Sequence, residues 1–338
     1  MKNKNLQIQG LRAIAIIGIV IFHALIQFNN LYLNQEMIIP SFFVNIINKM
    51  PSIGVYTFFI LSGLFMYNKK EFDLKSFYIN KIKKLYFPYL LCIIITFIIT
   101  HIYYLPQRTV DFKELLLNII MVNGFIGVDY VDGAHWYMTV LISFIISYGI
   151  MNYLKDKLRI DKNIMVLIWI CLFDLSFLLF NLNSVGLLGS IQYWFNLLFF
   201  SWYPHYFLYF LCGICLSDDN DKTKLITLFI ILSHSYYLYG IEFMIEQLAL
   251  ILVVYLCLLN RLSLLANKYL VYIGNLSYIW YLIHQNLIYV IELFLCKLFS
   301  FNIMTVILAI LLSLIIAIMI NKLIDNVIKY LNKGRCCI

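Results

Sequence analysis

Charged side chains are scarce in this sequence. Only 12% of its 338 residues are Asp, Glu, Lys or Arg, and just 17 are acidic. A soluble globular domain draws about 25% of its residues from that group and about 45–50% from apolar types. Here the apolar share is 63% and the mean hydropathy +0.88. A water-soluble fold of this size would lack the polar groups to cover its surface, so that class is excluded and the excess apolar surface calls for lipid. Linkers, internal repeats and low-complexity tracts are also missing. No pair of broken helices in corresponding halves, the mark of inverted-repeat transporters, stands out. The length reads as one membrane domain over 1–338, with no room for a separate soluble one. The apolar stretch from Met1-Lys2-Asn3-Lys4 to Phe28 has no small-x-small cleavage site, is too long for a leader and carries Arg12 and His23. It reads as a retained first helix. Cys336-Cys337-Ile338 lacks the Cys four from the end that prenylation needs.

What is present is a series of apolar segments. A bilayer core takes roughly 20 mostly apolar residues per helical span. On that measure the sequence predicts an all-α fold, a polytopic transmembrane bundle of about ten helices. They lie near 8–28, 51–67, 85–104, 135–153, 163–180, 189–216, 223–240, 242–259, 270–296 and 303–323. The seventh and eighth are divided near Tyr239-Gly240. Segment 115–128 is apolar but short, and reads as a re-entrant or interfacial piece.

Basic residues test this count, because Lys and Arg concentrate on the cytoplasmic side. With both termini cytoplasmic, the inside segments hold Lys2 and Lys4, Lys69 to Lys84, Lys155 to Lys162, Lys222 and Lys224, Arg261 and Lys268, and Lys322 to Arg335. That is 20 of the 25 basic residues. The outside connections hold Lys49, Arg108, Lys113 and Lys297. The net charge of +8 is thus a topology signal and calls for no nucleic-acid partner. The expected partner is the lipid bilayer of an inner (plasma) membrane. The longest outside connection, 105–134, contains Asp111, Glu114, Asp129 and Asp132 and is expected to help form a mouth on that face.

Ionisable groups at membrane depth cost free energy and are therefore candidates for function. Arg12 and His23 share one face of the first helix, roughly 16 Å apart along its axis. This puts a fixed cation near the cytoplasm and a titratable base deeper in, which suits two substrates arriving from opposite sides. A snorkelling Arg and a core His bonded to another helix explain the same residues. Asp174, Gln192, His205, His234, Glu242, Glu246, His135 and His284 are the other polar groups within or beside the spans. Cys212 and Cys215 form C-x-x-C on an apolar helix, read as packing, and no metal site is expected.

Five motifs in order resemble the acyltransferase-3 type of membrane-bound acyltransferases, which modify bacterial cell-surface glycans. Gly10-Leu11-Arg12-Ala13-Ile14-Ala15 with His23 is similar to that family's Arg, ten residues, His arrangement. Gly54-Val55-Tyr56-Thr57-Phe58-Phe59-Ile60-Leu61-Ser62-Gly63 resembles G-V-x-x-F-F-x-L-S-G. The basic run from Lys81 to Lys84 closes on Pro88. His135-Trp136-Tyr137 resembles a W-F/Y motif, and Gly274 to His284 resembles G-x-x-S-Y-x-x-Y-L-x-H. Tyr56 stands where many members have Asp. Lys83 and Lys84 replace a usual Arg pair and lack its bidentate fork.

The resemblance implies a ten-helix domain that transfers an acyl group, usually acetyl from acetyl-CoA, to a sugar hydroxyl. It implies His23 as general base and Arg12 as the second catalytic residue. Arg12, Lys83 and Lys84 would hold the donor's phosphates, and Ser62 and Gly63 would line the reacting centre. His135, Trp136, Tyr137, Tyr278 and His284 are expected in acceptor-binding or structural roles. The donor is expected as a co-substrate, with no tightly bound cofactor, and the acceptor as a polysaccharide or glycolipid. The competing expectation is a polysaccharide or lipid-linked sugar transporter or flippase, in which buried His, Arg and Asp relay protons and no bond is made. A structural partner in an export complex is a third.

Overall fold

With hydrocarbon as solvent, each backbone N–H and C=O must find a partner within the protein, and a helix supplies these within one segment. The computed structural model describes residues 5–66, 73–160, 164–172, 204–217 and 221–333, and every regular element among them is helical. In chain order they are α1 (Leu6–Phe22), α2 (Ser41–Leu64), α3 (Leu74–Lys81), α4 (Phe87–Ile102), α5 (Phe112–Ile119) and α6 (Trp136–Leu158). A helical stretch over 164–172 follows, then α7 (Pro204–Leu216), α8 (Asp221–Leu258), α9 (Lys268–Leu298) and α10 (Ile303–Lys333).

Seven helices among the described residues are long and apolar enough to cross a membrane. They are Leu6–Leu33, Ser41–Leu64, Leu74–Ile102, Gly133–Leu158, Tyr239–Leu258, Lys268–Leu298 and Ile303–Val327. They coincide with the first four and last three predicted spans. The predicted 223–240 span is helical as the first part of α8, but is not one of the seven. The predicted 163–180 and 189–216 spans lie partly outside the described residues, and Asp174 and Gln192 lie outside them. So do Lys2, Lys4, Lys69, Lys70, Lys162, Arg335 and the terminal Cys336-Cys337-Ile338. The predicted break is present: Gly240 has φ 85° and ψ −177°, a conformation only glycine adopts freely. Segment 115–128 forms no span. It contains the end of α5, which an Asp111–Glu114 capping box starts, and one 3₁₀ turn at Asn123–Phe125.

Several boundaries move outward from their predicted places. α2 begins at Ser41 and runs through Pro51, since a membrane helix tolerates the one hydrogen bond a proline removes. α4 is continuous with α3 through a π turn at Ile82–Tyr86. Pro88 sits in the first turn of α4, where its missing N–H is no loss.

By its internal contacts the chain forms two compact units. One comprises Met1–Gly54, Ile82–His135 and Leu262–Ile338; the other comprises Val55–Lys81 and Trp136–Arg261. The first unit is built on α9, which is buried along most of its length from Gly274 to Leu295. α1 lies against it. A Cβ at Gly274 would run into the Gln9 carbonyl, so this glycine lets the two helix backbones touch, and one at Gly10 would strike the carbonyl of Leu265 in the 3₁₀ turn Ser263–Ala266 that precedes α9. Asn5 caps α1 by accepting from the N–H groups of Gln7 and Ile8. Trp280 on α9 donates to Ser313 on α10 at 3.1 Å.

In the second unit, α2 crosses α7 in the same way. A Cβ at Gly63 would meet the Phe210 carbonyl, and one at Gly213 the Ile60 carbonyl. Tyr56 stacks on Tyr209 with ring centroids 4.1 Å apart. Cys212 and Cys215 are buried on α7, and Cys212 Sγ accepts from Gln247.

Candidate active site

α1 and α9 run in the same direction. Gly274 meets α1 at Gln9, and ten to fifteen residues further on His284 and Tyr289 meet it at His23. The helical rise therefore matches positions on the two helices level by level. His23 opens a π turn, His23–Gln27, whose closing bond runs from the Phe28 N–H to the His23 carbonyl. A second π turn, Asn29–Leu33, follows almost at once, and π turns inside helices recur at functional sites.

His23 is the centre of a polar cluster in the first unit. Its Nδ1 lies 3.1 Å from the Tyr289 hydroxyl, and its ring is 5.0 Å from that of His284. The Tyr289 hydroxyl also accepts from Gln285 Nε2 at 3.2 Å. His284 donates Nδ1–H to the Tyr281 carbonyl at 2.7 Å, which leaves Nε2 as a lone pair. That nitrogen is fully buried and has no hydrogen-bond partner among the described residues.

The connection before α6 packs onto α9 at the same level. Asp132 accepts from the N–H groups of Ala134 at 2.9 Å and Asn286 at 3.0 Å. His135 donates Nε2–H to the Leu282 carbonyl at 2.8 Å. Leu282 C=O and Asn286 N–H are the two ends of one helical rung, and the loop gives each a partner. Tyr281 donates to the Ala134 carbonyl, and Asn286 Nδ2 to the Val131 carbonyl, both at 2.7 Å. His135 and Asp132 thus fix the 131–135 loop to α9. Arg108, from the far end of the same connection, lies over the Tyr289 ring at 5.6 Å.

The other sequence-predicted cations lie at the opposite level. Arg12 bonds Gln9 Oε1 at 3.3 Å, near the α1–α9 crossing. Tyr278, one turn beyond Gly274, donates to the Leu85 carbonyl at 2.6 Å. That bond ties α9 to the π turn carrying Lys83 and Lys84, whose side chains are exposed. Arg12, Lys83 and Lys84 therefore share one level of the first unit and His23 and His284 another.

Ser62, Gly63, Trp136 and Tyr137 belong to the second unit. Ser62 Oγ and the Tyr137 hydroxyl are 3.1 Å apart, and Trp136 packs on Tyr206 at 5.1 Å. Gly63 is accounted for by its helix crossing. Glu242 and Glu246 are exposed on α8.

Sequence reasoning passed over Tyr289, Gln285, Asp132 and Arg108 as site residues. Gln285 was visible as a polar group beside His284, and Arg108 and Asp132 only as loop charges. Tyr289 carried no signal among 26 tyrosines.

A family model described as an acyltransferase domain matches residues 5–322, nearly the whole chain. Comparison with curated proteins and with solved structures gave no match. The matched range takes in α1 with Arg12 and His23, the loop carrying Arg108 and Asp132, and α9 with His284 and Tyr289. With that range and its membrane-spanning helices, the chain belongs to the acyltransferase-3 family of multi-pass membrane acyltransferases.

Proposed function

We propose that this membrane acyltransferase moves an acetyl group from acetyl-CoA to a hydroxyl of a cell-surface or exported polysaccharide or glycolipid. The observation that carries this reading is the His23 ring held between the Tyr289 hydroxyl and His284. A sugar hydroxyl is a poor nucleophile near neutral pH, and a positioned imidazole makes it a better one. In the reaction proposed, the hydroxyl oxygen attacks the thioester carbonyl carbon while a nitrogen of His23 takes its proton. The tetrahedral intermediate then collapses, the carbon–sulfur bond breaks, and the thiolate leaves as CoA after taking the proton from His23. Tyr289, steadied by Gln285, orients the imidazole.

Arg12, Lys83 and Lys84 hold the donor's phosphates at the other level. The roughly 16 Å between Arg12 and His23 along α1 is a gap that an extended pantetheine arm bridges. This arrangement accords with ten spans in the inner (plasma) membrane and both termini in the cytoplasm, where acyl-CoA is found.

The test uses purified protein in detergent, radiolabelled acetyl-CoA and glycan-bearing membranes from the cell of origin, with His23→Ala alongside. Alkali-labile label in the glycan that is lost in the variant supports the reading. If acetyl-CoA binds but no label moves, acetyl or the acceptor is wrong. Without transfer or CoA binding, the donor reading is lost and a sugar transporter becomes the better account.

A further inference from the structure

Arg108 lies over the Tyr289 ring, 5.6 Å from its centroid, and is half-buried. Tyr289 is the residue whose hydroxyl meets His23. The guanidinium is also next to residue 133: a Cβ there would strike Arg108 Nη1 and approach Gln285 Oε1. Gly133 thereby lets the cation reach the cluster.

No carboxylate pairs with this guanidinium among the described residues. The acids of its own connection are engaged elsewhere or point to solvent. Asp111 and Glu114 close the α5 capping box on each other. Asp129 is exposed. Asp132 is spent on the backbone N–H groups of Ala134 and Asn286. On α9, both Glu292 oxygens are buried and partnerless among the described residues. An Arg beside a low-dielectric site with its five donors free of a carboxylate is built to receive an anion, and its planar fork matches a carboxylate or a phosphate.

We infer that Arg108 selects the acceptor: the glycan presented to His23 carries an anionic group, a carboxylate or a phosphate, near the hydroxyl that is acylated. This rests on the acyl-transfer reading. The acceptor is favoured over the donor because the donor's own anions are assigned to Arg12, Lys83 and Lys84, at the other level of α1. Arg108 is a specificity-determining residue in this account, and it acts on the acceptor and not on the acyl carbon.

The experiment measures label transfer by the full-length protein from radiolabelled acetyl-CoA to glycan from the cell of origin. The glycan is supplied untreated, with carboxylates methyl-esterified, with phosphates removed, and with both treatments. Wild type is expected to transfer to the untreated glycan about tenfold or more faster than to the neutralised one. Arg108→Gln should transfer to the untreated glycan at the neutralised rate, through a raised KM for glycan with KM for acetyl-CoA unchanged. Arg108→Lys should recover part of the difference, which separates loss of charge from misfolding. The treatment that abolishes the preference identifies the anion as carboxylate or phosphate.

Indifference of wild type to both treatments overturns the inference while leaving acyl transfer in place. An equal loss in Arg108→Gln on charged and neutralised glycan also overturns it, and moves Arg108 to the acyl centre or the donor. Should wild type label no glycan in any form, acetyl transfer to this glycan falls and this inference falls with it; loss of CoA binding as well takes the acyl-transfer reading with them.

Discussion

The imidazole Nδ1 of His23 and the hydroxyl of Tyr289 are 3.1 Å apart, although 266 positions separate the two residues. α1 and α9, the helices that lead to them, cross where Gly274 lets the backbones touch and then run on side by side. The proposed base is thus oriented by a residue from the far end of the chain.

Replacing His23 by Ala should lower acyl transfer by about 10²–10⁴-fold, the usual worth of a positioned general base. CoA binding and the elution profile in detergent should stay as in wild type. Retained transfer in a well-folded variant would contradict the assignment of the base.

Tyr289→Phe keeps the ring under Arg108 and removes only the hydroxyl shared by His23 and Gln285. About a tenfold fall in kcat with little change in either KM is expected. The stability loss should be near that of one hydrogen bond, about 0.5–1.5 kcal/mol. Kinetics that split the other way, with KM alone rising, would make Tyr289 a binding group.

Gly274→Ala places a methyl against the Gln9 carbonyl and must push α1 from α9. Overpacking of this kind costs about 1–3 kcal/mol. The thermal midpoint in detergent should fall, and transfer with it, because the α1–α9 spacing sets His23 against His284. A variant as stable and active as wild type would show that the crossing is looser than described.

Glu292 has both carboxyl oxygens buried without a partner among the described residues. Glu292→Leu fills the site with an apolar side chain and removes a cost of about 1–3 kcal/mol. The midpoint should rise. A lowered midpoint would mean that the carboxyl binds a group supplied from elsewhere.

Lys83→Gln and Lys84→Gln remove exposed cations from the π turn before α4. Exposed charge pairs are worth about 0.2–1 kcal/mol each. KM for acetyl-CoA should therefore rise by no more than about fivefold per substitution, and less at high salt. Unchanged KM at low salt in the double variant would take the donor's phosphates away from this turn.

Hydropathy alone established that the chain lives in a bilayer, because the free energy of transfer is a property of each segment. Seven of the predicted spans are recovered on that ground. Helical periodicity placed Arg12 and His23 on one face, since eleven residues make nearly a whole number of turns whatever the neighbours are. The break at Gly240 was likewise local. The partners of His23 were not legible. α9 carries five tyrosines, and nothing in its own sequence says which of them turns to α1; that depends on the close crossing at Gly274. Arg108 and Asp132 looked alike as charges in one loop. Only the tertiary structure separated them, by giving Asp132 two backbone N–H groups to bind and leaving Arg108 over Tyr289 with no carboxylate partner among the described residues.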